Sequence, residues 1–171
     1  MLLSLLFQLA VGAPPPPTII VVRHAEKASE TERDPALSAL GVARAAALDS
    51  VLAGAKVTTI IVTPFRRTAE TAMGVALTHK VTPMLMPVSS DIAGHAAQVA
   101  ELAKAQEGVV LVVGHSNTVG AIVTALGGPT VGNLCDANYD QLFIVTFSQS
   151  GAQLVRSRYG REDPPDARVC G

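Results

Sequence analysis

Several kinds of chemistry are short of raw material in this 171-residue chain. It has two cysteines, Cys135 and Cys170, no Cys-x-x-Cys pair and no cluster of His with Cys, so no zinc site is expected. The two thiols could form one disulfide or stay separate, and spacing alone does not choose. Charged residues are only 16% of the chain, the net charge is −1, and no block of like charges occurs. Neither a nucleic-acid stripe nor a polybasic membrane patch is therefore expected. A negatively charged ligand would have to be held by a few local cations. No apolar run reaches the roughly 20 residues that span a membrane. Hydrophobic residues, by contrast, make up 49%, which fits one compact domain with a substantial core and argues against disorder.

The first 13 residues stand apart. Leu2 to Val11 is almost wholly apolar, Val11-Gly12-Ala13 ends in small residues, and Pro14 to Pro17 follow as a stiff extended spacer. This resembles the later part of a secretory signal peptide, which implies a periplasmic or extracellular protein. An uncleaved apolar anchor and a part of the fold are the other readings, and without a signal the protein would be cytoplasmic. The domain itself is expected over residues 18–171.

From Thr18 onward, short apolar runs alternate with helical stretches. Thr18–Val22, Thr58–Thr63 and Val109–Val113 are continuous, largely β-branched runs of the kind buried on both faces of a parallel sheet. Helices are expected from Leu37 to Leu52 with Ser38 as a possible cap, from Pro64 to about Leu77, and from Ile92 to Gln106. Another is expected after a capping Asn117, as far as Gly127-Gly128. Val81–Val88 reads as a strand near an edge because prolines interrupt it. Leu142–Phe147 and Gln153–Arg158 read as a hairpin around Ser150-Gly151. The alternation predicts a three-layer α/β/α sandwich with a mostly parallel central sheet.

Three buried strands run into reactive residues: TIIVV into Arg23-His24, TTIIV into Thr63-Pro64-Phe65-Arg66-Arg67, and VVLVV into Gly114-His115-Ser116-Asn117. Ligands of open parallel sheets bind at the carboxyl ends of strands, so two histidines and at least two arginines should converge there. Arginine's fork of donors matches phosphate oxygens. A neutral imidazole among cations can attack phosphorus, and a second histidine can stabilise an equatorial oxygen in the transition state. Gly114 is expected to let backbone approach the ligand. Consecutive helical residues point about 100° apart, so Arg66 and Arg67 cannot both face one pocket.

These residues reach a known family. VVRHAEK (Val21 to Lys27), LSALGVARA (Leu37 to Ala45), TPFRRTAETA (Thr63 to Ala72) and VVGHSN (Val112 to Asn117) resemble, in order, the histidine phosphatase superfamily, which includes phosphoglycerate mutases and acid phosphatases. The resemblance covers about residues 18–160. It implies a phosphoglycerate mutase-like fold, His24 as nucleophile, Arg23 and Arg67 as phosphate-binding arginines, and His115 as the second pocket histidine. It implies no metal and no cofactor. The substrate would be a phosphorylated small molecule or a phosphoprotein. Mutases have Gly after the nucleophile and an Asn soon afterwards, whereas here Ala25 follows and no Asn precedes Asn117. Only 115 − 67 = 48 positions separate Arg67 from His115, which leaves little room for a helical insert over the pocket. The chain looks most like the small bacterial phosphohistidine phosphatases. A mutase-type phosphotransferase and a weakly catalytic phospho-ligand binding module are the alternatives.

Ester cleavage needs a proton for the leaving oxygen, and the donor is the least determined residue. Asp91 is the candidate, against the simpler reading that it caps the helix starting at Ile92. Glu26 is the other carboxyl close to the nucleophile, against the reading that it only anchors the loop. His79 and His95, away from the motifs, read as surface residues. The oligomeric state is not legible.

Overall fold

The computed structural model describes residues 14–164. The apolar leader of residues 1–13 and Cys170 lie outside them; Cys135 is disulfide-bonded. The strands are β1 (Thr18–Arg23), β2 (Val57–Val62), β3 (Met84–Leu85), β4 (Val109–Gly114), β5 (Gln141–Ser148) and β6 (Gly151–Arg158). The helices are α1 (Ala39–Leu52), α2 (Arg66–His79), α3 (Ile92–Lys104) and α4 (Val119–Ala125). One six-stranded sheet runs β3-β2-β4-β1-β5-β6. Its first four strands are parallel neighbours, and β5 and β6 complete it antiparallel as the expected hairpin.

Why both faces are covered follows from the period of two along a strand. Ile19, Val21, Ile61, Val110 and Val112 point to one side, against Ala96, Val99 and Ala103 of α3 and Ile122 and Val123 of α4. Ile20, Val22, Ile60, Val62, Leu111 and Val113 point to the other, against Leu48 and Leu52 of α1 and Ala72 and Val75 of α2. The result is the three-layer sandwich expected from the alternation. Each of the Val, Leu and Ile side chains, fully buried, contributes roughly 1.5–3 kcal/mol by leaving water.

Ser38 caps α1 as expected, its hydroxyl accepting the Gly41 N–H at 3.1 Å. A Cβ on Gly41 would lie 2.2 Å from the Glu26 carbonyl oxygen, so only glycine lets α1 pass this close to the loop after β1.

Four of the differences from the expected boundaries have a visible physical cause. Helix α1 starts at Ala39, because Leu37 pairs with Lys27 in an isolated bridge. Helix α2 starts at Arg66, not Pro64: the Phe65 backbone is extended, and the Thr68 hydroxyl reaches the carbonyls of Thr63 and Phe65 at 2.9 and 2.8 Å. Only Met84 and Leu85 of the expected Val81–Val88 strand pair with β2, since Pro83 and Pro87 on either side lack the N–H a ladder needs. The α4 cap position belongs to Thr118, and its hydroxyl accepts the His115 N–H at 2.9 Å instead.

Candidate active site

Parallel pairing of β1 with β4 sets Arg23 opposite Gly114. The His24 N–H then donates to the Gly114 carbonyl at 2.9 Å, which carries the register one residue beyond the strands. That register brings the His24 and His115 rings to 5.3 Å, edge to face. Arg67 arrives from the first turn of α2 on the adjacent strand β2, its Nη2 3.5 Å from His115 Nδ1. Arg23, His24, Arg67 and His115 line one cavity of about 460 Å³, with Phe65 and Lys27 at its side. A larger cavity of about 570 Å³ beside Phe143 and Arg156 contains no histidine.

His24 is held in one tautomer. Its Nδ1 lies 2.8 Å from the Ala25 carbonyl, which can only accept, so the proton sits on Nδ1 and the lone pair on Nε2. Burial pushes the His24 pKa down to about 3, helped by the nearby Arg23, His115 and Arg67. The ring is therefore neutral at any ordinary pH. The Ala25 N–H donates to the Thr71 hydroxyl at 2.9 Å, which ties the nucleophile's loop to α2.

His115 is also neutral: burial first, then Arg67, His95 and Arg23, push it down to about 4. Its Nε2 lies 3.1 Å from the Thr63 hydroxyl, itself 3.0 Å from the Thr68 hydroxyl. The Thr68 proton goes to a carbonyl, so Thr63 donates to Thr68 and accepts from His115 Nε2–H. His115 Nδ1 is then the acceptor facing Arg67.

The two arginines are positioned differently. Arg23 Nη1 donates to the carbonyls of Cys135, Asp136 and Asn138 at 2.8, 2.9 and 3.0 Å, and its guanidinium stacks over Tyr139 at 4.1 Å. Arg67 stacks over Phe65 at 4.1 Å and approaches Asp34 at 3.8 Å. The Nε of each is buried without a hydrogen-bond partner among the described residues. Two guanidinium groups beside two neutral imidazoles in one cavity suit a tetrahedral oxyanion. Arg66 points away from the cavity into an exposed pair with Glu70. The helix phase thus separates the neighbouring arginines as the sequence implied.

Three expectations need correction or relocation. His95 is not a surface residue: it is 3% exposed and lines the same cavity as His24 and His115. Gly114 does not line the cavity, and a Cβ there would meet the Thr118 hydroxyl at 2.9 Å. Asp91 is exposed at the start of α3, where its carboxylate accepts the Gly94 N–H at 3.0 Å, and it does not line the cavity. Asp91→Ala should therefore cost about 1 kcal/mol of stability, as loss of an N-cap does, while leaving turnover nearly unchanged. Thermal unfolding and steady-state kinetics on the same sample check both halves.

Sequence reasoning did not find the groups that orient the four residues. Thr63 and Thr68, Asp34, Tyr139 and the carbonyls of Cys135, Asp136 and Asn138 act through contacts made only on folding. Glu26 anchors the loop, gripped by Arg44 through contacts of 2.8 to 3.0 Å. Arg44 also reaches Asp163 at 3.2 Å, and Asp163 in turn accepts the Tyr139 and Asp140 N–H groups. No group of three or more His, Cys, Asp or Glu suited to a metal ion occurs among the described residues, nor any helix long and apolar enough to cross a membrane.

Residues 19–94, which hold the first three of the four motifs, match the model of the histidine phosphatase superfamily, branch 1, and bear out the resemblance. No curated protein matches the chain. Among solved structures, the fold is similar to that of the protein histidine phosphatase SixA complexed with tungstate. That pair shares 19% identity with a TM-score of 0.64, over 82% of this chain and 96% of the other. A putative phosphohistidine phosphatase SixA from Nakamurella multipartitia is 21% identical with a TM-score of 0.59, over 85% and 98%. A mycobacterial glucosyl-3-phosphoglycerate phosphatase is 16% identical with a TM-score of 0.60, over 83% and 97%.

Proposed function

We propose that this chain, which carries the histidine phosphatase match over residues 19–94, is a phosphatase that works through a phosphohistidine on His24. The observation that carries the reading is the neutral His24 ring, with Nδ1 anchored to Ala25 and the lone pair on Nε2 among Arg23, Arg67 and His115. In the first half of the reaction Nε2 bonds to phosphorus and the bond to the leaving group breaks. In the second half water attacks phosphorus, the N–P bond breaks and inorganic phosphate leaves. Arg23 and Arg67 hold the equatorial oxygens throughout, and His115, whose Nδ1 accepts from the Arg67 guanidinium, holds that arginine in place.

The substrate is a phosphorylated small molecule or a phosphoprotein, as a phosphomonoester or a phosphoramidate. Similarity to a protein histidine phosphatase and to a glucosyl-3-phosphoglycerate phosphatase supports both ends of that range. Between Arg67 and His115 the chain supplies the rest of α2, then β3, α3 and β4, with no added helix that could cover the cavity. A cavity with no covering helix among the described residues favours bulky substrates.

No step in this scheme uses a metal. Turnover of p-nitrophenyl phosphate should survive excess EDTA unchanged, and inorganic phosphate should inhibit competitively. Loss of activity in EDTA, restored by a divalent cation, would refute the metal-independent mechanism. Export is proposed from the leader alone, and processing of the expressed full chain tests it.

A further inference from the structure

His95 lies in the reactive cavity with no part in the scheme above. It stands in the first turn of α3, one helical turn before the buried Val99, so packing of the apolar stripe turns it inward. Its Nδ1 lies 3.1 Å from the Pro87 carbonyl, an acceptor, so Nδ1 carries a proton and the ring cannot swivel freely. His95 lines the cavity, and Nε2 is the ring nitrogen not committed to that carbonyl.

The other acidic groups of this region are less well placed. Asp91 caps α3 and does not line the cavity, and Glu26 is committed to Arg44. Asp136 lines the cavity but is exposed, on the loop whose carbonyls hold Arg23.

We propose that His95 is the proton donor to the leaving group, an inference that rests on the phosphatase reading. As His24 Nε2 bonds to phosphorus, the P–O bond breaks and the departing oxygen takes the Nε2 proton of the His95 imidazolium. In the second half His95, now neutral, takes a proton from the attacking water and is restored. A built-in donor places ordinary alkyl phosphates within reach, besides phosphoramidates and esters whose leaving groups need no proton.

The test is leaving-group dependence of kcat/KM, which reports the step that expels the leaving group. His95→Asn keeps an N–H for the Pro87 carbonyl while removing the transferable proton, and His95→Gln is the second variant. Both are first matched to wild type in thermal unfolding. General acid catalysis contributes about 10²- to 10⁴-fold, so both variants should lose at least about a hundredfold on an alkyl phosphate. They should lose only a few-fold on p-nitrophenyl phosphate, whose nitrophenolate leaves unprotonated. Equal losses on the two substrates would overturn the proposal, leaving His95 a positioning residue. So would full alkyl phosphatase activity in both variants, with the leaving-group pattern appearing in Asp136→Asn instead. Wild-type inactivity towards both esters would be a different failure, of the phosphatase reading itself, and would take this inference with it.

Discussion

His24→Ala is expected to reduce turnover to background on every substrate, while the protein keeps its fold and its affinity for inorganic phosphate. Removing the covalent nucleophile of an enzyme costs on the order of 10⁶ in kcat, because no other group can take over the bond to phosphorus. His115 cannot substitute, since its Nε2–H is committed to Thr63 and its Nδ1 faces Arg67. The fold should hold because the His24 ring sits at the carboxyl end of β1, beyond the ladder, with a single side-chain hydrogen bond to Ala25. Kinetics with p-nitrophenyl phosphate and phosphate binding by calorimetry together check the claim. Near wild-type turnover would show that the nucleophile is elsewhere. Loss of phosphate binding along with turnover would mean that the variant collapsed the pocket.

Arg67→Ala should cost about a hundredfold or more in kcat/KM, and Arg66→Ala only a few-fold. The two residues are adjacent in sequence and of one type, so the comparison isolates direction. Arg67 lines the cavity beside His115 and packs on Phe65. Losing a charge-assisted contact that tightens as charge develops on the phosphoryl oxygens costs roughly several kcal/mol. Arg66 pairs with Glu70 on the solvent side of α2, an exposed (i, i+4) pair worth about 0.3–0.5 kcal/mol. Parallel measurement of kcat/KM and of urea unfolding for both variants separates the effects. The reverse ranking would mean that α2 presents its other face to the substrate.

The strands were legible because a sheet covered on both faces demands continuous apolar runs. TIIVV and VVLVV supply them and leave no helical alternative of that length. The site was legible because the register of parallel neighbours turns three strand ends into one place. The choice of Arg67 over Arg66 needed only the helical period. What could not be read was whatever depends on residues distant in sequence. The carbonyls that hold Arg23 come from a loop more than 110 positions away. The Thr63–Thr68 contact exists because α2 starts late, at Arg66.

His95 is a different case, because its signal was present. His95, Val99 and Ala103 recur every four residues, and all three are buried along one stripe of α3. A histidine on an apolar stripe is inward-facing by geometry, whatever its distance from a motif. Asp91 shows the opposite: its helix-capping reading was available from its place before Ile92, and the hydrogen bond to Gly94 accounts for the carboxylate.

The central claim, a covalent phosphoryl group on His24, is tested most directly by trapping it. Wild-type protein mixed with a phosphoryl donor and quenched within the first turnover should carry one phosphoryl group per active chain. It should be labile in acid and stable in base, and peptide mapping should place it on residue 24. A donor consumed at the full rate with no phosphoenzyme at any quench time, or a base-labile phosphoester in its place, would contradict the account.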